Sequence, residues 1–96
     1  MSRYVLSPRA KADIEEIWDY TSVRWGVEQA EAYIRQLQAG IEAATADPDI
    51  GRPCDEIKAG YRKHRVGSHV IFFRAVRNGI DIVRVLHARM DFERHI

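Results

Sequence analysis

The spacing of apolar residues in this 96-residue chain changes close to Pro48. From Ala10 to that point, apolar residues recur every three or four positions, which is the period of one face of an α-helix. After it, β-branched and aromatic runs alternate with turn residues, which is typical of strands. This change of period predicts two helices followed by a sheet on which they pack.

Local signals delimit the predicted helices. Ser7 offers an N-cap hydroxyl, and Pro8 fits the first helical position, where its missing N–H costs nothing. Gly26 is expected to end the first helix, and Asp47, which precedes a proline, the second. The short junction at Gly26 therefore predicts an antiparallel helical hairpin. The first apolar stripe is Ala10, Ile14, Ile17, Trp18, Thr21 and Trp25, and the second is Ala30, Tyr33, Ile34, Leu37, Ile41 and Ala44.

A strand is predicted on either side of the helices. The order is β-α-α-β-β-β, an α+β fold in which a mainly antiparallel sheet packs on the helical hairpin, and residues 1–96 are expected to be one domain. The segment 49–60 is predicted to be a loop with room for one short strand. The predicted strands are Arg3 to Leu6, Tyr61 to Val66, Ser68 to Val76 and Ile80 to His87.

Asn78-Gly79 is the preferred pair for a two-residue type I′ hairpin loop. With that loop, the predicted register places apolar residues on both faces of the final hairpin. The helices can cover only one face, so a terminal segment or a partner is expected on the other. Asp91 is placed to cap a short terminal helix. The predicted opposite pairs are Phe73–Arg84, Ile71–Leu86 and Val70–His87; Ile71, Phe73, Ile82 and Leu86 share one face, and Val70, Phe72, Val83 and Val85 the other.

The net charge of +1 conceals an asymmetry. Residues 1–57 carry six Lys/Arg against eleven Asp/Glu, and residues 58–96 carry nine against three. A basic half attracts acidic partners, whether nucleic acid or protein, although solvating charges on a sheet are an equally good interpretation. The lone Cys54 suits a reducing cytoplasm, and no apolar run predicts a membrane span or a signal peptide.

Few residues indicate catalysis. The carboxylates of the first helix, from Asp13 to Asp19, are expected on its solvated face. The histidines and Cys54 lack metal-ligand spacing, and no phosphate-binding glycine loop occurs, so neither a metal nor a cofactor is predicted. Arg84 lies between apolar residues of the last strand. For it, a structural ion pair is favoured over a direct target contact.

Residues along nearly the whole chain match those of one known family. They are Tyr4-Val5-Leu6-Ser7, Ala10, Asp13, Ile14, Ile17, Trp18, Tyr20, Trp25-Gly26, Gln29-Ala30, Tyr33, Pro48, Gly51, Gly60-Tyr61-Arg62, His64 to His69, Phe72-Phe73-Arg74, Ile82 to His87 and Arg89-Met90-Asp91. At these residues the chain resembles the ParE branch of the RelE/ParE toxin family. Phe73 stands where tyrosine is frequent in that branch, and Ala88 where glutamine is frequent.

The resemblance implies a poison of DNA gyrase that traps the enzyme on cleaved DNA and is held inactive by a ParD-like antitoxin. It implies binding without a catalytic centre, and no small-molecule substrate. The charge asymmetry and the family-like end of the last strand together predict a target-binding surface. Its predicted residues are Arg62, Arg65, Arg84, His87, Arg89 and Asp91, and no residues are assigned to antitoxin binding.

The alternative within the family is a RelE- or YoeB-like ribonuclease that cuts mRNA on the ribosome. In that interpretation a carboxylate, several arginines and a histidine act as base, phosphate clamps and acid. The tyrosine typical of that branch is absent from Leu86-His87-Ala88-Arg89. The residues concerned are Glu56, Arg62, Arg65, Arg84 and His87.

Overall fold

The computed structural model of the chain describes residues 3–96. Its elements follow the predicted order, with a two-residue strand in the predicted loop and a short helix at the end of the chain. The elements are β1 (Arg3–Leu6), α1 (Pro8–Trp25), α2 (Val27–Ala46), a 3₁₀ turn (Pro48–Ile50), β2 (Arg52–Pro53), β3 (Tyr61–Val66), β4 (His69–Val76), β5 (Gly79–His87) and α3 (Phe92–His95).

The five strands form one sheet in the order β1-β5-β4-β3-β2. β1 pairs with β5 in parallel, and the other neighbours pair antiparallel. A parallel pair needs a long crossover connection, which α1 and α2 provide. This confirms the predicted α+β fold. Among the described residues, no helix is both long enough and apolar enough to cross a membrane.

The predicted caps of α1 are also confirmed, whereas Asp91 precedes α3 as predicted but makes no side-chain capping hydrogen bond. The Ser7 hydroxyl accepts a 3.0 Å hydrogen bond from the Ala10 N–H, and Pro8 occupies the first turn. Gly26 is the only residue between α1 and α2, and its φ of 96° lies in a region that side chains disfavour. The two helices therefore turn back on each other over one residue.

We call the face of the sheet under α1 and α2 the helix-side face. Leu37 and Ile41 of α2 are almost fully buried there with Ile71 and Phe73 of β4. Gly40 allows the close approach, since a Cβ at that position would lie 2.4 Å from the Val66 Cγ2 atom. The hydrophobic core is thus built from the predicted stripe of α2 and one face of β4.

The predicted register of the last hairpin is wrong. Val76 pairs with Gly79, so the loop residues are Arg77 and Asn78. A type I′ loop needs a positive φ at both of its residues, and no described non-glycine residue has one. Gly79 is needed as a strand residue instead, because a Cβ there would lie 1.7 Å from the Arg3 carbonyl oxygen of β1. The observed opposite pairs include Phe73–Ile82, Phe72–Arg84, Val70–Leu86 and His69–His87, in place of Phe73–Arg84, Ile71–Leu86 and Val70–His87.

A β-bulge changes the register of β4 and β5 a second time, farther from the loop. The register shifts between Phe72 and Phe73, so Val83 has no opposite partner on β4. Beyond the bulge the side-chain alternation of β5 is inverted relative to the prediction. Val85 therefore joins Ile71 in the helix-side core, while Leu86 joins Phe72 on the other face.

We call that other side the tail-side face, because the C-terminal segment covers it. The Phe92 ring of α3 meets the Phe72 ring edge-on, with 4.7 Å between centroids. Ile96 packs against the same cluster, in which Cys54 is fully buried. Burial raises the pKa of the Cys54 thiol. The expected terminal segment on the second apolar face is thus confirmed.

Candidate target-binding site

The start of α1 completes the edge of β5 where β1 ends. β1 reaches only to Leu6, opposite Ile82. Beyond it, the Ser7 hydroxyl donates a 2.7 Å hydrogen bond to the Val83 carbonyl, and the Val85 N–H donates a 3.0 Å bond to Asp13 Oδ2. Because exposed strand edges leave backbone groups unpaired, these side chains replace the missing strand.

Asp13 also forms an ion pair with Arg84. The Arg84 Nε and Nη2 atoms donate to the two carboxylate oxygens at 2.8 Å each, and both side chains are largely buried. Hydrogen bonding to Asp13 raises the pKa of Arg84. The favoured ion pair of Arg84 is confirmed, whereas the solvated position expected for Asp13 is wrong. The missed signal is spacing: Asp13 falls between Ala10 and Ile17 on the buried stripe of α1.

Arg84 additionally ties the C-terminal segment to the sheet. Its Nη1 atom donates a 2.7 Å hydrogen bond to the His95 carbonyl. One guanidinium therefore joins α1, β5 and the end of the chain. Whether Arg84 also contacts a target stays a prediction.

Arg62 and Arg65 lie on opposite faces of the sheet. They are three residues apart on β3, and alternate residues of a strand point to opposite faces. Arg62 donates a 2.7 Å hydrogen bond to the Gly51 carbonyl and lies 3.6 Å from Asp49. Arg65 is exposed and donates to the Gly67 carbonyl. The structure therefore does not join these two arginines into one surface.

The other predicted residues follow one another at the end of β5. His87 and Arg89 are exposed, and the Arg89 N–H donates a 3.1 Å hydrogen bond to His87 Nδ1. Asp91 is exposed and lies 3.9 Å from Arg94. This end of the sheet also holds the β3–β4 turn, since the Ala88 N–H donates to the Ser68 carbonyl. Arg65, His87, Arg89 and Asp91 are thus the predicted residues that this end of the sheet presents to solvent.

A histidine that sequence reasoning did not select lies beside them. The Ser68 N–H donates to the Tyr33 hydroxyl oxygen at 3.1 Å, and the hydroxyl hydrogen is free for His69 Nδ1. The His69 and His87 rings are 5.3 Å apart. Burial, and then the neighbouring His87, lowers the pKa of His69 from 6.5 to about 4. His69 is therefore a neutral side chain at neutral pH.

Two adjoining recesses of about 410 and 320 Å³ share Tyr20, Thr21, His69 and His87. We call the larger one the aromatic groove. It lies between the helical hairpin and the strand ends. Its lining includes Tyr20, Trp25, Gln29, Tyr33, His69 and His87.

The residues of the ribonuclease interpretation are dispersed. Arg62 contacts Gly51 near the helix-side face, Arg84 is held by Asp13, and His87 is exposed at the end of β5. Glu56 is exposed in the loop before β3. The geometry does not assemble the base, clamps and acid of that interpretation around one point.

Comparison with known proteins agrees with the fold. The family model described as "ParE toxin of type II toxin-antitoxin system, parDE" matches residues 4–92. A solved structure described as a chromosomal ParDE toxin–antitoxin system from P. aeruginosa has a TM-score of 0.78 at 20% identity, and the match covers 91% of this chain and 96% of that one.

Similar proteins extend over the whole chain. Toxin ParE1 of Mycobacterium tuberculosis (strain H37Rv) is 59% identical over 99% of this chain and 98% of its own length. Toxin ParE1 of Caulobacter vibrioides is 49% identical over 100% and 99%, and Toxin ParE of Escherichia coli is 33% identical over 95% and 89%. The chain belongs to the ParE toxin family of type II toxin–antitoxin systems.

Proposed function

We propose that this chain inhibits growth by binding DNA gyrase and stabilising its complex with cleaved DNA, and that a ParD-like antitoxin neutralises it in the cytoplasm. The observation that carries the proposal is the full-length similarity to toxins named ParE1. Action by binding, without catalysis, is supported by the dispersal of acid–base and arginine residues described above.

The proposed target surface consists of Arg62, Arg65, Arg84, His87, Arg89 and Asp91. Within it, the exposed residues at the β5 end are the first contacts, because exposed positive charge speeds encounter with an acidic surface. Arg84 contributes by holding the terminal segment in place through its bond to the His95 carbonyl. Arg62, which contacts Gly51, contributes from a separate edge of the sheet.

The proposed antitoxin contact is an amphipathic helix laid along the helical hairpin. The tail-side face already carries α3, and half of the large apolar side chains that remain in solvent lie near the hairpin junction, among them Val23, which is 89% exposed, and Val27, which is 56% exposed. A stable antitoxin complex should bury more than about 1,000 Å².

The direct test incubates purified toxin with purified gyrase and plasmid DNA and measures cleaved DNA. We expect cleaved DNA to accumulate and added antitoxin to abolish it. The ribonuclease alternative predicts mRNA cutting on ribosomes that His87→Ala or Glu56→Ala abolishes, with gyrase unaffected. That outcome would replace the proposal.

Arg65→Ala tests the proposed surface. We expect weaker toxicity and gyrase binding that depends less on salt concentration, because one exposed charge is lost. The fold should be unchanged, since Arg65 makes only a local bond to Gly67. Arg77→Ala is the matched control, since it removes the same charge from the exposed loop between β4 and β5, at the opposite end of the sheet. Circular dichroism and antitoxin binding check the fold. Full toxicity of the Arg65, His87 and Arg89 alanine variants would refute the assignment.

A further inference from the structure

The aromatic groove holds two large rings in solvent. Tyr20 is 63% and Trp25 65% exposed, although such rings normally bury most of their area. The Arg24 guanidinium lies 5.9 Å from the Tyr20 ring centre and 5.7 Å from that of Trp25. A cation therefore lies beside both rings, and most of the surface of each residue is open to a ligand.

The groove also contains hydrogen-bond donors in a defined state. The Tyr33 hydroxyl oxygen accepts the Ser68 N–H and lies in hydrogen-bond contact with His69 Nδ1, to which it can donate its own hydrogen. In that arrangement the neutral His69 ring carries its proton on Nε2. The Arg89 backbone N–H donates to His87 Nδ1, which leaves Nε2 as the other polar atom of that ring. The two rings therefore offer Nε2–H donors to acceptor atoms of a ligand.

Positive charge lies beside this pocket. The Arg24 guanidinium lies over the Trp25 ring of the lining, Arg65 bonds the Gly67 carbonyl next to Ser68, and Arg89 is exposed two residues after His87. Of the described residues that line the aromatic groove, none is acidic, whereas Glu16 and the paired Asp13 line the adjoining recess. A ligand is therefore expected to place a neutral planar group inside and negative charge at the rim.

We propose that the aromatic groove binds an unpaired nucleobase of single-stranded DNA. The base stacks on Trp25 and Tyr20, its carbonyl oxygens or ring nitrogens accept from His69 and His87, and the flanking phosphates face the arginines. Proteins that bind single strands combine stacking rings with a basic channel in this way. The inference rests on the proposed function in one respect: cleaved DNA on gyrase supplies unpaired bases near the bound toxin.

An apolar protein helix is a poorer occupant of this groove. It would cover the His69 and His87 N–H groups without offering acceptors, and a buried donor left unpaired is costly. A nucleobase supplies both an aromatic face and acceptors on its edge.

The test measures fluorescence anisotropy of a labelled oligothymidylate of about ten nucleotides, within the usual range for single-strand sites. We expect saturable binding that Trp25→Ala weakens at least about fivefold, the lower end for loss of one base–aromatic stack. Trp18→Phe, whose ring lines a different recess, should leave the affinity unchanged.

Salt dependence provides a second readout. The logarithm of the affinity falls as the logarithm of the salt concentration rises, and each lost phosphate contact should make that slope shallower by about 0.7 for a single strand. Arg65→Ala and Arg89→Ala should each show that change, and Arg77→Ala should not. Equal slopes for all three variants would place the phosphates elsewhere and overturn the proposal.

Further outcomes decide against the proposal. Absence of saturable binding, equal affinity for blunt duplex DNA, or preference for an oligouridylate of equal length would each overturn it. Loss of antitoxin affinity in Trp25→Ala without any DNA binding would identify a protein site instead. The gyrase assay run in parallel separates the two proposals: cleaved DNA without oligonucleotide binding refutes only this one, and oligonucleotide binding without cleaved DNA refutes only the gyrase target.

Discussion

The helix-side face of the sheet lies under helices of 18 and 20 residues, whereas the tail-side face lies under a helix of four. Eleven described residues are buried in the first cluster and four in the second. Since apolar burial is the main stabilising contribution, the helix-side face should carry most of the free energy of folding. The tail-side face, closed by the end of the chain, should open at lower cost.

The largest expected effect concerns the ion pair of Asp13 with Arg84, which links the first helix, the last strand and the C-terminal segment. Asp13→Ala should lower the free energy of unfolding by about 3–5 kcal/mol, because it leaves the buried Arg84 guanidinium without its carboxylate. Urea denaturation measures the loss. The double variant Asp13→Ala with Arg84→Met should recover much of it, since no unpaired charge remains. A double variant no more stable than the single one would show that packing, not charge, accounts for the loss.

Leu37→Ala probes the helix-side face alone. Leu37 is 1% exposed at the centre of the α2 stripe, so its loss should leave a cavity and cost about 2–5 kcal/mol. Equilibrium denaturation measures it, with Gln38→Ala, an exposed neighbour, as the control. A cost below about 1 kcal/mol, the range of surface changes, would contradict the assigned dominance of this face.

Phe92→Ala probes the tail-side face. The ring is only half-buried and packs edge-on against Phe72, so we expect a cost of about 1–2 kcal/mol. Amide hydrogen exchange should accelerate in residues 91–96 and stay unchanged in α2. If the cost equals that of Leu37→Ala, the two faces form one cooperative unit and the comparison fails.

Acidification should have the smallest effect on the free energy of unfolding. We expect this effect to arise at His69, beside the aromatic groove. The pKa of His69 is lowered to about 4 by burial, then by His87, with Asp13 opposing them. The unfolded chain, with a His pKa near 6.5, therefore binds the proton first, and stability falls as the pH drops from about 6.5 toward 4. We expect on the order of 1 kcal/mol between pH 7.5 and 5, since the ring is partly solvated.

His69→Gln is the control for this pH effect. Its unfolding free energy should vary less between pH 7.5 and 5 than that of the unchanged chain. Equal slopes in the two proteins would mean that other groups cause the loss, and that His69 is not held neutral by the fold.

Local chemistry accounts for what could be predicted before the structure. Ser7, Pro8 and Gly26 act through their own backbone and nearest turns, so the helix bounds followed from the residues themselves. The apolar stripe of α2 could be predicted from the helical period, together with the prediction of a sheet for it to pack against. The terminal segment on the second face followed from counting apolar faces against available covers.

The candidate site depended on contacts between distant segments. Asp13 and Arg84 are 71 residues apart, and Tyr33 and His69 are 36 apart, so no local pattern links them. The bulge at Val83 then exchanged the predicted faces of Val85 and Leu86, because strand alternation inverts when one residue has no partner.

The sequence by itself determined the elements, their order and the family, because these depend on periodicity, caps and residue identities along the chain. The separation of Arg62 from Arg65 follows from their spacing on one predicted strand. Only the tertiary structure decided the register of β5 and the pairing of Asp13 with Arg84. The physical reason is that β1 ends at Leu6 while β5 continues, which leaves backbone groups that α1 side chains must satisfy. Gly79, which is also a favoured turn residue, is required instead by the close approach of the Arg3 backbone.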